Sequence, residues 1–453
     1  MARSLLAEDL MAIYKDALDA SHAGRAVESR LQVSSGAIRA GRRAIALDRI
    51  ESVGVIAVGK AAPAMAEAVP EAIKEKMSFG MIVTKEGYER DVEGFEVRVA
   101  GHPLPDRRSV RATDDVVELV SELGEEDLLL VLVSGGASAL LFSPIPQVGF
   151  NDAVKINEQM VYSSMDISGI NSVRSHISRI KGGRLAVEAA PASVLTLALS
   201  DVIGDKLPTI GGGPTVADPT RFKDAITALK KARIWSDIPE SVMDVLEAGA
   251  KGEIPESPKP GDPRLSRAFA AVVGGPRTLL RAAARSARAM GLRVRCATRE
   301  IKGDATELVD GYIARAGSMV RSGTGREVFV AVGEPTLNVP LGEETGKGGR
   351  SQHLALLMAK SMTGENHMAF LAAGTDGTDG PTDAAGGLVD GETLETMKAN
   401  GVDVDGAISS FDSYHALEKG DAHIVTGPTD TNVTDLHLLA VEGKTSSGRK
   451  SDS

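Results

Sequence analysis

The sequence predicts an α/β protein in two domains, with a parallel sheet covered by helices on both faces in the first. Two observations carry that prediction. Short runs rich in Val, Ile and Leu alternate with longer segments whose apolar residues fall three or four apart, the pattern of buried parallel strands linked by amphipathic helices. At 453 residues the chain also exceeds what one hydrophobic core usually serves.

In chain order, strands are expected at Val53–Val58, Gly80–Thr84, Phe95–Val99, Leu128–Val133 and Val194–Leu199. Helices are expected at Ala62–Lys74, Ser109–Leu123 and Ser178–Ala190. The stretch 251–266 is too rich in Pro and Gly for regular structure and reads as a linker between a domain at 1–250 and another at 267–442. Beyond it come strand Phe269–Val273, an Ala/Arg-rich helix from about Thr278 to Gly291, and strands near Arg293–Ala297, Val328–Val332, Ala369–Ala373 and His423–Val425. The Lys/Ser/Gly-rich stretch 443–453 reads as a disordered tail.

Composition narrows the function classes. With 51 basic against 62 acidic residues, a formal charge of −11, an extended nucleic-acid surface is not expected, and the 3% aromatic content argues against base stacking. No apolar run approaches the ~20 residues that span a membrane, and the acidic N-terminus reads as an amphipathic helix rather than a secretory signal. The single cysteine, Cys296, rules out an internal disulfide framework; it is expected to be a small buried residue of a cytoplasmic protein.

Three strand-like runs end in glycine-rich elbows: Val58-Gly-Lys-Ala61, Ser134-Gly-Gly-Ala-Ser138 and Ala373-Gly-Thr-Asp-Gly-Thr-Asp-Gly380. A strand that stops at Gly leaves backbone N–H groups pointing outward, and the following helix adds the positive end of its dipole, so anionic ligands are favoured there. Lys60 ends the first elbow and is read either as an anion ligand or as a solvated loop lysine. In the second, Gly135, Gly136 and Ala137 allow close backbone approach, and the hydroxyls of Ser134 and Ser138 are candidate donors to an oxyanion. Arg350 follows Gly346-Lys-Gly-Gly349 at a helix entrance, where its fork suits a carboxylate or phosphate. Asp201, Asp205, Glu334, Asp376, Asp379 and Asp383 are acidic candidates for magnesium, although Asp equally caps helices and turns. No Gly-x-Gly-x-x-Gly occurs, and neither Gly342–Gly348 nor Gly443-Lys-Thr445 fits a Walker P-loop.

Together with Gly101-His-Pro-Leu-Pro-Asp106, Ser178-Arg-Ile-Lys-Gly-Gly-Arg-Leu-Ala186, Leu199-Ser-Asp-Val-Ile-Gly-Asp205, Gly333-Glu-Pro-Thr336 and Thr426-Gly-Pro-Thr429, these elbows resemble the MOFRL-type glycerate kinases along nearly the whole chain. The resemblance implies a Rossmann-like N-terminal domain, a smaller C-terminal α/β domain, an active site in the cleft between them, and ATP- and Mg2+-dependent phosphorylation of D-glycerate at its 2-hydroxyl. It implies Lys60 and Arg350 as the key residues; Ser134–Ser138, Glu334, Thr336, Gly374, Thr375 and Asp376 are the further candidates for binding substrate or ATP, and Asp201 and Asp376 for the metal, with Asp201, Glu334 and Asp376 interchangeable as metal ligand or proton acceptor. The family usually shows Gly-Arg-Asn-Gln-Glu where this chain has Gly349-Arg-Ser-Gln-His353, and Gly where Asp430 stands. Small molecules are the expected partners, with a homodimer left open. A nicotinamide-dependent hydroxypyruvate reductase is the alternative enzyme, and a non-catalytic hydroxy-acid binding module the alternative outside enzymes.

Overall fold

A computed structural model describes residues 4–40, 43–163, 165–202, 204–322, 325–339 and 345–443. The expected tail at 443–453 therefore lies outside the described residues except for Gly443, which ends a strand. The chain divides into two compact units, Ala23–Gly274 and a second made of residues up to His22 together with those from Gly275 onward.

The first unit opens with a three-stranded antiparallel sheet, β1 (Leu31–Ser34), β2 (Ala37–Ala40) and β3 (Arg43–Ala46). Its main sheet holds β4 (Val53–Val58), β5 (Met77–Lys85), β6 (Glu96–Ala100), β7 (Leu128–Val133), β8 (Ser193–Leu199) and β9 (Ala268–Gly274), ordered β6-β5-β4-β7-β8-β9 and parallel throughout. β4 and β7 are buried at every position, which is why they read as unbroken apolar runs rather than as alternation. From β4 the chain winds outward through β5 to β6, then returns to β7 on the other side. The order reverses between β4 and β7, and the carboxyl ends flanking such a reversal form the crevice where doubly wound sheets bind ligands.

Local chemistry sets the helices of this unit. Asp106 accepts from the N–H groups of Arg108 and Ser109 while the Ser109 hydroxyl accepts from Asp106 N–H, a reciprocal cap that starts helix Arg107–Ser121. The single helix expected over Ala62–Lys74 is two, Ala62–Glu67 and Glu71–Lys74, because Pro70 supplies no N–H to continue the first. Of the helix expected over Ser178–Ala190 only Arg184–Glu188 forms, since Gly182 and Gly183 sit at φ +61° and +86°.

The second unit is built on a mixed sheet, ordered β10-β11-β15-β12-β13-β14, from β10 (Arg293–Cys296), β11 (Gly325–Val332), β12 (Met368–Gly374), β13 (Gly386–Asp390), β14 (His423–Ile424) and β15 (Asp435–Gly443). Only β10 and β11 run parallel; the remaining pairs are antiparallel. β13 and β15 were not expected from the sequence, although β15 lies at the centre between β11 and β12. The N-terminal helix Leu5–Ala20 buries Leu6, Leu10, Ile13, Tyr14 and Ala17 and packs on helix Pro276–Ala289 and β12. The boundary thus differs from the expected one at 251–266: β9 completes the first sheet beside β8, and residues 4–22 belong to the second unit. Segment 251–266 is held in the first unit instead, where Glu256 meets buried His176 at 2.9 Å and Ser257 donates to Asp218. Cys296 is exposed rather than buried, because β10 is the edge strand of its sheet.

Candidate active site

In the first unit the elbows after β4 and β7 interlock. Lys60 N–H donates to Gly135 O at 2.9 Å, and Ala61 N–H donates to the Ser134 hydroxyl at 3.1 Å. Gly59 is required at φ +127°, since a Cβ there would lie 2.1 Å from Ser134 Oγ. Ser134 is fully buried and its hydroxyl in turn faces Val58 O, so it stitches the two elbows together and does not offer itself to an oxyanion. The backbone does offer donors: among the described residues no protein acceptor meets the N–H of Gly135 or Gly136. Gly136, at φ +89°, turns the chain into the short helix Ala137–Leu140, on which Ser138 is partly exposed. A Cβ on Gly136 would approach His102 Nε2 to 3.2 Å and Lys60 Cγ to 3.5 Å.

The structure therefore gathers Lys60, the 134–138 loop and His102 on one edge of the parallel sheet, with partly buried Asp201 after the neighbouring β8. Sequence reasoning did not single out His102; it follows β6, and the signal was its place in the Gly101–Asp106 motif. A lysine, an imidazole and N–H groups without a protein acceptor are the chemistry that suits an anion.

The second unit assembles a different chemistry from four segments. Arg350 opens helix Arg350–Ser361, where a cation opposes the helix dipole. Three carboxylates offset that cost. Arg350 Nε and Nη2 donate to the two oxygens of Asp435 at 2.7 and 3.0 Å, Nη2 also lies 2.9 Å from Glu334 Oε1, and Asp379 adds its field. Burial alone would lower the guanidinium pKa, but these acids, Asp435 foremost, raise it above its ordinary value. Asp435 is 3% exposed; burial would raise its pKa, yet Arg350 and the Ser351 hydroxyl, donating at 3.0 Å, hold it below the usual carboxylate range. Ser351 stands where the resembling family has Asn and still supplies a donor.

Asp379 lies on the same elbow as Asp376 and is pushed up to about 7, first by burial and then by the charge on Asp435, against the opposing hydrogen bond from Gln352 N–H at 2.7 Å. The elbow and the Arg350 loop fit without clearance: a Cβ on Gly349 would lie 2.3 Å from Asp379 Cγ. Asp376 is 6% exposed and its Oδ1 accepts from Thr378 N–H at 3.1 Å. The Gly374 carbonyl accepts from the Tyr14 hydroxyl at 2.7 Å; burial, then Asp376 and Asp435, raises the pKa of that phenol.

Of the expected residues, Arg350, Glu334, Gly374, Thr375 and Asp376 come to this edge, where Thr375 spends its hydroxyl on Thr434 O and Val433 N–H. Thr336 does not join them; it is exposed, and its backbone pairs with Gly303 and Ala305. Asp205 lies beyond β8 in the other unit at φ +53°, and Asp383 holds the Tyr414 hydroxyl at 2.7 Å. Asp435 and Tyr14 were missed in the sequence. An aspartate opening a strand and a tyrosine within an N-terminal helix carry no local signal of chemistry. Asp430 sits at φ +56°, which accounts for the glycine that the resembling family has there.

Two known domain families match the chain: a domain of unknown function, DUF4147, over residues 9–247, and the MOFRL family over 327–435. A D-glycerate 2-kinase from Thermotoga maritima is 38% identical over 392 residues, spanning 85% of this chain and 90% of that protein. The chain belongs to the MOFRL-type glycerate kinases. Its fold is that of the glycerate kinase crystal structure from Thermotoga maritima, with a TM-score of 0.78 and 35% identity over 96% of this chain and 99% of that one. Another relative, from Agrobacterium vitis, is 37% identical over 85% of this chain and 86% of its own length and is named, provisionally, a hydroxypyruvate reductase.

Proposed function

We propose that this protein is an ATP-dependent glycerate 2-kinase, converting D-glycerate and ATP to 2-phosphoglycerate and ADP. The observation that carries this reading is its near full-length similarity to a D-glycerate 2-kinase, in a chain whose Lys60 follows the end of β4 and whose Arg350 opens a helix against Asp435. Phosphoryl transfer asks the protein mainly to position two anions and neutralise charge. The 2-hydroxyl oxygen attacks the γ-phosphorus, the bond to the ADP oxygen breaks, and the hydroxyl proton passes to a carboxylate. Lys60 and the N–H groups of the 134–138 loop receive an anionic group; Arg350, already fixed by Asp435, clamps phosphate or the glycerate carboxylate.

Magnesium binds through one or two protein carboxylates plus water and phosphate oxygens rather than in an all-protein cage. Asp376 fits that donor set: it is nearly buried, and one of its oxygens is already oriented by Thr378 N–H. Asp201, after β8, is the second candidate. Bound there, the cation supplies charge neutralisation on the transferring phosphoryl group. Asp201, Glu334 and Asp376 share the remaining task of accepting the hydroxyl proton. A reducing, cytoplasmic setting fits the lone free thiol and the absence, among the described residues, of any helix long and apolar enough to cross a membrane.

The test is product analysis. Pure protein with D-glycerate, ATP and magnesium is expected to give 2-phosphoglycerate by phosphorus NMR. The 3-phosphate would keep the kinase and overturn the substrate pose; oxidation of NADH by hydroxypyruvate without ATP turnover would replace the reading with the reductase.

A further inference from the structure

Beneath the loop after β7 lies a lysine that the chemistry above does not use. Lys181 is 1% exposed, and its Nζ donates to the carbonyls of Ser138 at 2.8 Å and Leu141 at 3.0 Å, which are in and just after the short helix Ala137–Leu140. Its stem lies on Gly212, at φ +77°, where a Cβ would come within 2.7 Å of Lys181 Cδ. The backbone is pinned on both sides: Lys181 N–H donates to Ser178 Oγ at 3.2 Å, and Gly182 and Gly183 N–H donate to Gly212 O and Gly213 O at 3.0 and 2.8 Å. Among the described residues no carboxylate pairs with this ammonium. The small cavity beside it is lined by Phe142, Pro144, Asn157, Arg174, Ile177 and Ser178, of which only Arg174 is charged, its Nε donating to Asn157 Oδ1 at 2.7 Å.

A fully buried cation beside a partly exposed one, with no carboxylate paired to it among the described residues, is costly unless something nearby is negative when the protein works. The N–H groups of Gly135 and Gly136, which meet no protein acceptor among the described residues, belong to the loop that Lys181 holds, and the proposed function places an anionic substrate group on that loop. Resting on that reading, we propose that Lys181 is a positioning residue: it fixes the 134–138 loop from below and adds its positive charge to the attraction for the anion held there. Burial, and then the neighbouring Arg174, lower its pKa to about 7. A neutral amine keeps two N–H donors and still satisfies both carbonyls, so titration removes charge and leaves the hydrogen bonds. A bound anion favours the ammonium, and affinity falls as pH rises through that range.

The experiment compares the full chain with Lys181→Met, which keeps the bulk of the stem. The variant is expected to raise KM for one anionic substrate, ATP or D-glycerate, by about tenfold or more, with kcat within about threefold and the other KM unchanged. Wild-type KM for that substrate should rise between pH 6.5 and 8.5, and the rise should persist in His102→Asn, which removes the nearby imidazole from the profile. Wild-type KM values in a folded Lys181→Met, or a loss confined to kcat, would overturn the proposal. If Lys181→Met does not fold, a flat profile in His102→Asn overturns it and a retained rise supports it. Absence of wild-type turnover instead counts against the kinase reading; ATP and D-glycerate affinities by calorimetry in the same variants then decide about Lys181, with no change from wild type in either one overturning it.

Discussion

The two candidate edges are built by opposite routes. The edge after β4 and β7 is made of backbone: glycines bring two elbows into contact, the N–H groups of Gly135 and Gly136 meet no protein acceptor among the described residues, and Lys60 adds charge to a site without a carboxylate in its immediate loops. The edge of the second unit is made of side chains, with Arg350 set among Asp435, Glu334 and Asp379 before any ligand arrives. A backbone cradle carries no side-chain ion pair for a substitution to break. The partly exposed guanidinium of Arg350 and the buried carboxylate of Asp435 hold each other in place, and removing the arginine strands the carboxylate.

That contrast predicts different consequences for two substitutions of similar catalytic weight. Lys60→Ala and Arg350→Ala should each lower kcat by about 10²–10³, as for one preorganised electrostatic group. Arg350→Ala should also cost about 3–5 kcal/mol of stability by leaving Asp435 buried and unpaired, whereas Lys60→Ala should change the urea midpoint little. Equal stability losses would erase the distinction between the edges.

The acidic edge should also leave a mark on stability against pH. Asp379 titrates near 7 in the folded chain, above its ordinary value, so between about pH 4 and 7 the native state binds more protons than the unfolded one. Its contribution to stability is therefore present at low pH, is lost as pH rises towards 7, and changes no further above it. Asp379→Asn cannot ionise and should flatten that decline in chemical denaturation between pH 5 and 8; an unchanged slope would show that the strain of this edge lies elsewhere. The smallest effect is expected at Tyr14. Tyr14→Phe leaves the Gly374 carbonyl without its donor and should cost about 1–3 kcal/mol by denaturation, with less than tenfold change in turnover. A larger kinetic loss would make the N-terminal helix part of the elbow's chemistry rather than its support.

How much of this was legible in advance follows the same division. Lys60 and the Ser134–Ser138 loop were visible because each is a local signal, an apolar run ended by glycine, and strand order then places both at the reversal point. Arg350 was visible through its flanking glycines. Its partner Asp435 was not, because it lies 85 residues away at the start of a strand that the sequence did not announce. Lys181 was visible only as part of a motif, since nothing local says that its ammonium ends under a loop 43 residues earlier.

By itself, then, the sequence determined the alternation of buried strands and amphipathic helices, the glycine elbows, and a likeness to a kinase family, all of which depend on neighbours within a turn or a strand. The tertiary structure decided that helix Leu5–Ala20 and β9 join the units they do, that the Ser134 hydroxyl is spent on structure, and that Arg350, Asp435, Asp379 and Tyr14 share one environment. The physical reason is range. Strand and turn preferences are written in consecutive residues, whereas burial, charge pairing and the pKa of a carboxylate are set by whichever distant segments the packed core brings alongside.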